Sequence, residues 1–371
     1  MTESLQNNAF TPEGTYSVFL PNYTIGMDDA YDHIDAVCTA SGTTAVLIGG
    51  KRALTAAEPV IRAAAHRIRV TDALLYGTDC TEETITALCE TASVRTADML
   101  FAIGGGKATD TTKAVGERLG KPVYAFPTIA SNCSSCTSVS ILYHTDGSFS
   151  HPYFLTKPPL HTFIDLRIIA QAPPRYFWAG MGDTYAKYFE STLSSRGEQL
   201  PHYEALGVVI SQMCLDPILR FGETAYHDHE RGIASPAFRE VVLAIIVTTA
   251  LTSILVTKDR IIDYNTGLAH AINYALTSYP QVEHEHLHGE IVSYGVLILL
   301  LSDRNEMQFD ALFRFSRALK LPTHLSDLGL SKEQIPDIIT GALAMKDIAH
   351  NPYPITKEML LEAFERLEGM P

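Results

Sequence analysis

At 371 residues the chain exceeds what one hydrophobic core usually serves, so two domains are expected. Its 46% hydrophobic and 19% charged residues exclude a disordered chain. The formal net charge of −14, with no Lys/Arg block, argues against nucleic acid and anionic membranes as partners; a small anionic substrate, which needs only one or two placed cations, is not excluded.

The opening MTESLQNNAF lacks the basic-then-apolar pattern of a secretory leader. Thr44–Ile48 reads as a compact strand, followed by Gly49-Gly50 and a helix over Glu58–Arg67. Asp72–Tyr76 is a second strand, and Thr81–Ala92 opens with a helix cap and an acidic first turn. Asp98–Ile103 is a third strand, running into Gly104-Gly105-Gly106, and Val123–Phe126 a fourth, ended by Pro127. Strands separated by helices of this length form parallel βαβ units. Ser138–Tyr143 enters a turn at Asp146-Gly147, which predicts a hairpin. Thr162–Leu166 is the last strand, and helical periodicity then dominates to the C-terminus. The expected architecture is a Rossmann-like α/β domain over 1–166 and an all-helical domain over 167–371, with the site in the cleft between them. Val241–Val256, the longest apolar stretch, is short for a membrane span and carries four hydroxyl residues, so it reads as a core helix. The six cysteines, at 38, 80, 89, 133, 136 and 214, show no disulfide framework. A lone CxxC at Cys133 and Cys136 has no second pair to complete a zinc site. A reducing, cytoplasmic location follows.

Two constellations carry chemistry. In DMLFAIGGGKATDTTK, a buried strand delivers three glycines to a helix start, where missing Cβ atoms and free N–H groups admit a pyrophosphate. A bare GGG serves a tight turn equally well; Lys107, beside the proposed phosphate, and Asp110, placed to bond the turn's amides, favour the nucleotide. Pro127-Thr128-Ile129-Ala130-Ser131 supplies a second hydroxyl-rich turn at the same sheet edge. In the helical part, Asp183, His270 and His288 offer one carboxylate and two imidazoles, enough for a divalent metal with open positions. His284 and His286 compete with His288, and all three also fit a solvated polar turn.

The order GGGK, PTIAS, AGMGD, AHA and HGE resembles the glycerol dehydrogenase branch of the iron-containing alcohol dehydrogenase superfamily. The resemblance implies the fold this superfamily shares with dehydroquinate synthase. It implies Asp183, His270 and His288 as ligands to a metal, zinc ahead of iron. It also implies NAD or NADP held by Glu58 at the adenosine ribose and by Gly105, Gly106, Lys107, Asp110, Thr128, Ser131, Thr137, Val139 and Tyr143. A homo-oligomer and a small-molecule substrate are expected. Two departures are similar to a hydroxycarboxylate dehydrogenase subgroup: Cys133, where polyol enzymes carry an aspartate, and Lys187, where they carry an uncharged residue. Lys187 lies four residues after Asp183 and so on one helix face with it. Thiol for carboxylate plus an added ammonium favours an anionic substrate, although Lys187 pairing with Asp183 or Glu190 is the plain alternative. The expected reaction is hydride exchange between a 2-hydroxy acid and a 2-oxo acid, with glycerol or a diol as the alternative substrate. A catalytically idle nucleotide-binding sensor is the reading from another class, and the intact metal set weighs against it. A proton relay stays open, with His284 and Tyr143 as candidates.

Overall fold

The computed structural model of the chain describes residues 18–257 and 260–371; the MTESLQNNAF opening lies outside them. Among the described residues there are eight strands: β1 (Tyr23–Gly26), β2 (Thr44–Gly49), β3 (Arg69–Leu75), β4 (Met99–Gly104), β5 (Val123–Pro127), β6 (Val139–Tyr143), β7 (Phe149–Phe154) and β8 (His161–Asp165). Six of them form one all-parallel sheet in the order β1-β8-β5-β4-β2-β3, and β6 and β7 form an antiparallel hairpin. The period-two geometry of strands sorts their apolar residues onto two faces. Ala45 and Leu47 of β2 join Met99, Phe101 and Ile103 of β4 in one core cluster, whereas Val46 and Ile48 join Leu100 and Ala102 in another.

β1 was not foreseen. It is a four-residue edge strand, YTIG, with only partly buried side chains, so it carries little apolar pattern; it exists because β8 offers it a free edge. The helix after β2, α1 (Lys51–Ala64), starts seven residues before the expected Glu58 because Gly50 ends the strand and opens the helix directly. α2 (Gly106–Leu119) follows β4.

β8 ends at Asp165, and no strand follows among the described residues. The helical part has its own core, and three of its helices position the site: α3 (Pro174–Ser194), α4 (Leu268–Leu276) and α5 (His288–Ser302). Two helical stretches, His202–Glu230 and Pro236–Val256, are long and apolar enough to cross a membrane by length and composition; most of the second is buried inside the domain.

Candidate metal and cofactor site

α3 and α5 cross where side chains are absent. A Cβ on Gly289 would stand 2.0 Å from the Ala179 carbonyl oxygen, and one on Gly182 would stand 2.2 Å from that of Gly289. The two backbones therefore touch, which brings Asp183 on α3 to His288, the first residue of α5. His270, in the first turn of α4, completes the group: one ligand atom from each of Asp183, His270 and His288 lies within 4.8 Å of the others. The Nε2 atoms of His288 and His270 stand 3.5 and 3.7 Å from the same Asp183 oxygen. Both separations are long for hydrogen bonds, so the three groups converge without consuming one another's lone pairs. A two-imidazole, one-carboxylate set of this kind suits a divalent ion such as zinc or ferrous iron.

Of the three competing histidines only His288 joins the group. His286 turns to Glu290 (Nδ1···Oε1, 2.7 Å), whose other oxygen accepts from the Leu287 N–H at 3.0 Å and caps α5. Burial alone would raise the Asp183 carboxyl, but the adjoining His288, with the charges of His270 and Lys187, outweighs it and holds the group at about 2. For His270, burial works against the charged form and is outweighed by Glu190, so its imidazole titrates above the ordinary value.

The turns expected to meet the cofactor lie at one edge of the sheet. Gly49 pairs with Ile103 and Gly104 with Pro127, which places the turns after β2, β4 and β5 in register at the carboxyl ends. The chain runs from β2 outward to β3 and then returns across β2 to β4, a topological switch point, where open α/β sheets bind ligands. Gly104 has φ +138°, a conformation that favours glycine. Gly105 and Gly106 meet the neighbouring turn closely: a Cβ on either would stand 2.5–2.6 Å from Ile129 or Asn132. Thr128 donates its N–H to Gly104 at 3.3 Å, and Ser131 sits beside Gly105. A Cβ on Gly180 would stand 2.5 Å from the Ala130 carbonyl, so the helix carrying Asp183 packs directly on the PTIAS turn.

Residues 21–161 match the model of the iron-containing alcohol dehydrogenase family. The chain is 33% identical to the glycerol dehydrogenase of Thermotoga maritima, covering 76% of this chain and 78% of that protein. It is 32% identical to hydroxycarboxylate dehydrogenase A of Escherichia coli, covering 88% and 89%. The chain belongs to the iron-containing alcohol dehydrogenase family. A probable glycerol dehydrogenase from Sinorhizobium meliloti 1021 has a similar structure, with TM-score 0.79 at 27% identity over 95% of this chain and 98% of that one. The fold is thus the family's, and the chain is an oxidoreductase of that family.

Several family-implied positions do different local work. Asp110 does not bond the turn's amides, as expected; it pairs with Lys113 at 2.9 Å and accepts from Ser134 Oγ at 2.8 Å and the Ile141 N–H at 3.1 Å, bracing α2 against the segment that enters the hairpin. Lys113 adds bonds to the carbonyls of Ser134 and Val139 and to Thr137, so Thr137 and Val139 are fixed by a buried cation beneath them. Lys107 pairs with Asp79 and stands 5.1 Å from the centre of the Tyr143 ring. Glu58 lies two turns into α1 and pairs with Arg62 at 2.8 Å, away from the sheet edge at Gly50, where Lys51 and Arg52 stand exposed. Lys187 is buried at 7% exposure, with its ammonium on Asn265, bonding the backbone carbonyl and, at 2.7 Å, Oδ1. Burial, with the nearby Asp183 charge, pushes the Cys133 thiol up to about 12. Sequence reasoning named Glu190 only as a possible partner of Lys187 and passed over Asn265 and Asp79. The seven-residue interval from Asp183 to Glu190, two turns on one helix face, was the available signal.

Proposed function

We propose that the chain is a metal-dependent, nicotinamide-linked dehydrogenase that interconverts a small polyhydroxylated substrate of the glycerol type and its carbonyl form. The observation that carries this reading is the convergence of Asp183, His270 and His288 on a helix packed against the PTIAS turn. A divalent cation held by those three residues supplies a Lewis acid for the reacting oxygen. The chain's own part is to orient. The parallel sheet presents its β4 and β5 turns to the cofactor, and α3 sets the trio beside them. Cys133, held in its neutral form by burial, adds no charge of its own to the same corner. NAD or NADP serves as hydride carrier, and a cytoplasmic homo-oligomer remains the expectation.

A second reading, reduction of small 2-oxo acids, is favoured by Cys133 in place of the polyol enzymes' aspartate and by the resemblance to the Escherichia coli hydroxycarboxylate dehydrogenase. One panel decides between them. Glycerol and diols in the oxidative direction, and dihydroxyacetone and 2-oxo acids in the reductive one, are assayed as kcat/KM with both cofactors, after chelation and after zinc or ferrous ion is restored. The metal-dependent reading expects activity to vanish on chelation and return with metal. Full activity in the chelated protein overturns it, and a 2-oxo acid as the preferred substrate replaces the first reading with the second.

A further inference from the structure

Glu190 is buried at 1% exposure and sits two turns along α3 from Asp183. A carboxylate this deep costs several kcal/mol in lost hydration unless its oxygens are fully engaged. Here they are. One oxygen accepts from the backbone N–H of Gly267 at 2.8 Å and of His270 at 3.0 Å, the open positive end of α4. The other lies 2.7 Å from His270 Nδ1.

An ionised carboxylate can only accept. In the neutral imidazole its partner Nδ1 must therefore carry the proton, which leaves the lone pair on Nε2, the atom that faces Asp183 at 3.7 Å. We propose that Glu190 is the positioning residue of the candidate metal centre: by holding the Nδ1 proton and the first turn of α4 together, it selects the tautomer and the orientation in which His270 can bind a cation. The proposal rests on the reading of Asp183, His270 and His288 as the metal ligands. Lys187, between the two acids on α3, ties down Asn265 just before the same turn, so one helix supplies a ligand and two braces for a second ligand's segment.

Glu190→Gln tests this because it keeps the volume and removes one acceptor. If the amide oxygen stays on the two backbone N–H groups, the new NH2 faces Nδ1 and drives the proton to Nε2, where it blocks metal uptake. If the amide flips, its NH2 opposes two N–H donors and α4 loses its anchor. Zinc affinity, read by competition with a chromophoric chelator, should weaken about 10- to 100-fold. In neutral-imidazole conditions, nitrogen NMR of histidine-labelled apoprotein, with His270 assigned from a His270→Asn spectrum, should show protonated Nδ1 in the native chain and protonated Nε2 in the variant. Zinc affinity within about threefold of native overturns the proposal. If Glu190→Gln does not fold, the native spectrum still decides, because a His270 protonated at Nε2 is incompatible with it. A native chain that binds no zinc or ferrous ion refutes the reading of the trio itself, a separate outcome.

Discussion

The side chains around Asp183 divide into those that face the reacting centre and those that hold others in place. We place Lys187 in the second group, since Asn265 takes two of its donors. Lys187→Ala should therefore lower kcat/KM for polyols and for 2-oxo acids by a similar factor, about ten- to a hundredfold, through loss of charge-assisted bonds of about 1.5–3 kcal/mol. A selective loss for oxo acids would instead place the ammonium on a substrate carboxylate. Cys133→Asp should shift the kcat/KM ratio toward glycerol. His270 yields a pH prediction. Its raised titration in the metal-free protein contributes stability that is full below 6.5 and is lost as pH rises through the higher folded value. Melting curves of apoprotein should therefore show Tm falling as pH rises above about 6.5, with a flatter slope in Glu190→Gln. Zinc uptake should respond in the opposite sense, strengthening over that range as protons cease to compete.

Among the elements, the α3–α5 crossing is decisive, because contact between two backbones leaves no side chain to adjust. Gly289→Ala puts a Cβ 2.0 Å from the Ala179 carbonyl and 3.0 Å from the Asp183 Cβ, so the helices must separate. An overpacking cost of about 1–3 kcal/mol is expected. The informative readout is that metal content should fall together with Tm, since His288 and Asp183 move apart with their helices. The glycine-rich turn differs: a Cβ on Gly105 or Gly106 would meet only the side-chain ends of Ile129 and Asn132, which can swing aside, so an alanine there should cost the fold less than Gly289→Ala.

For the whole molecule, the trio draws on three helices separated in sequence by nearly ninety residues between Asp183 and His270 and by eighteen more to His288. A bound cation would cross-link them in the folded state only. Saturating zinc at about a hundredfold over Kd should then add about 2.7 kcal/mol and raise Tm measurably; calorimetry of chelated and reloaded protein checks this. The hairpin should share in that gain, because Phe149, at the start of β7, stands 6.1 Å, ring to ring, from Tyr274 on the helix that carries His270.

Much was already written in the residue order. Apolar runs of strand length alternating with helical segments predicted the parallel sheet and the change of character after residue 166 predicted the helical half, because period is a local property; Asp183, His270 and His288 as a ligand set came from the family resemblance, the residues alone leaving His284 and His286 open. Contacts that depend on who lies across from whom were not legible. The edge strand Tyr23–Gly26 has almost no pattern of its own and is a strand only because β8 pairs with it. His284, His286 and His288 are equivalent on paper; the Gly182–Gly289 contact and the Glu290 cap single out His288. On sequence Lys187 faces either a substrate carboxylate or a neighbouring acid; that Asn265, seventy-eight residues away, engages its ammonium is visible only in three dimensions. Tertiary packing makes these choices because a hydrogen bond or a backbone contact is satisfied by distance in space, and distance in sequence does not encode it.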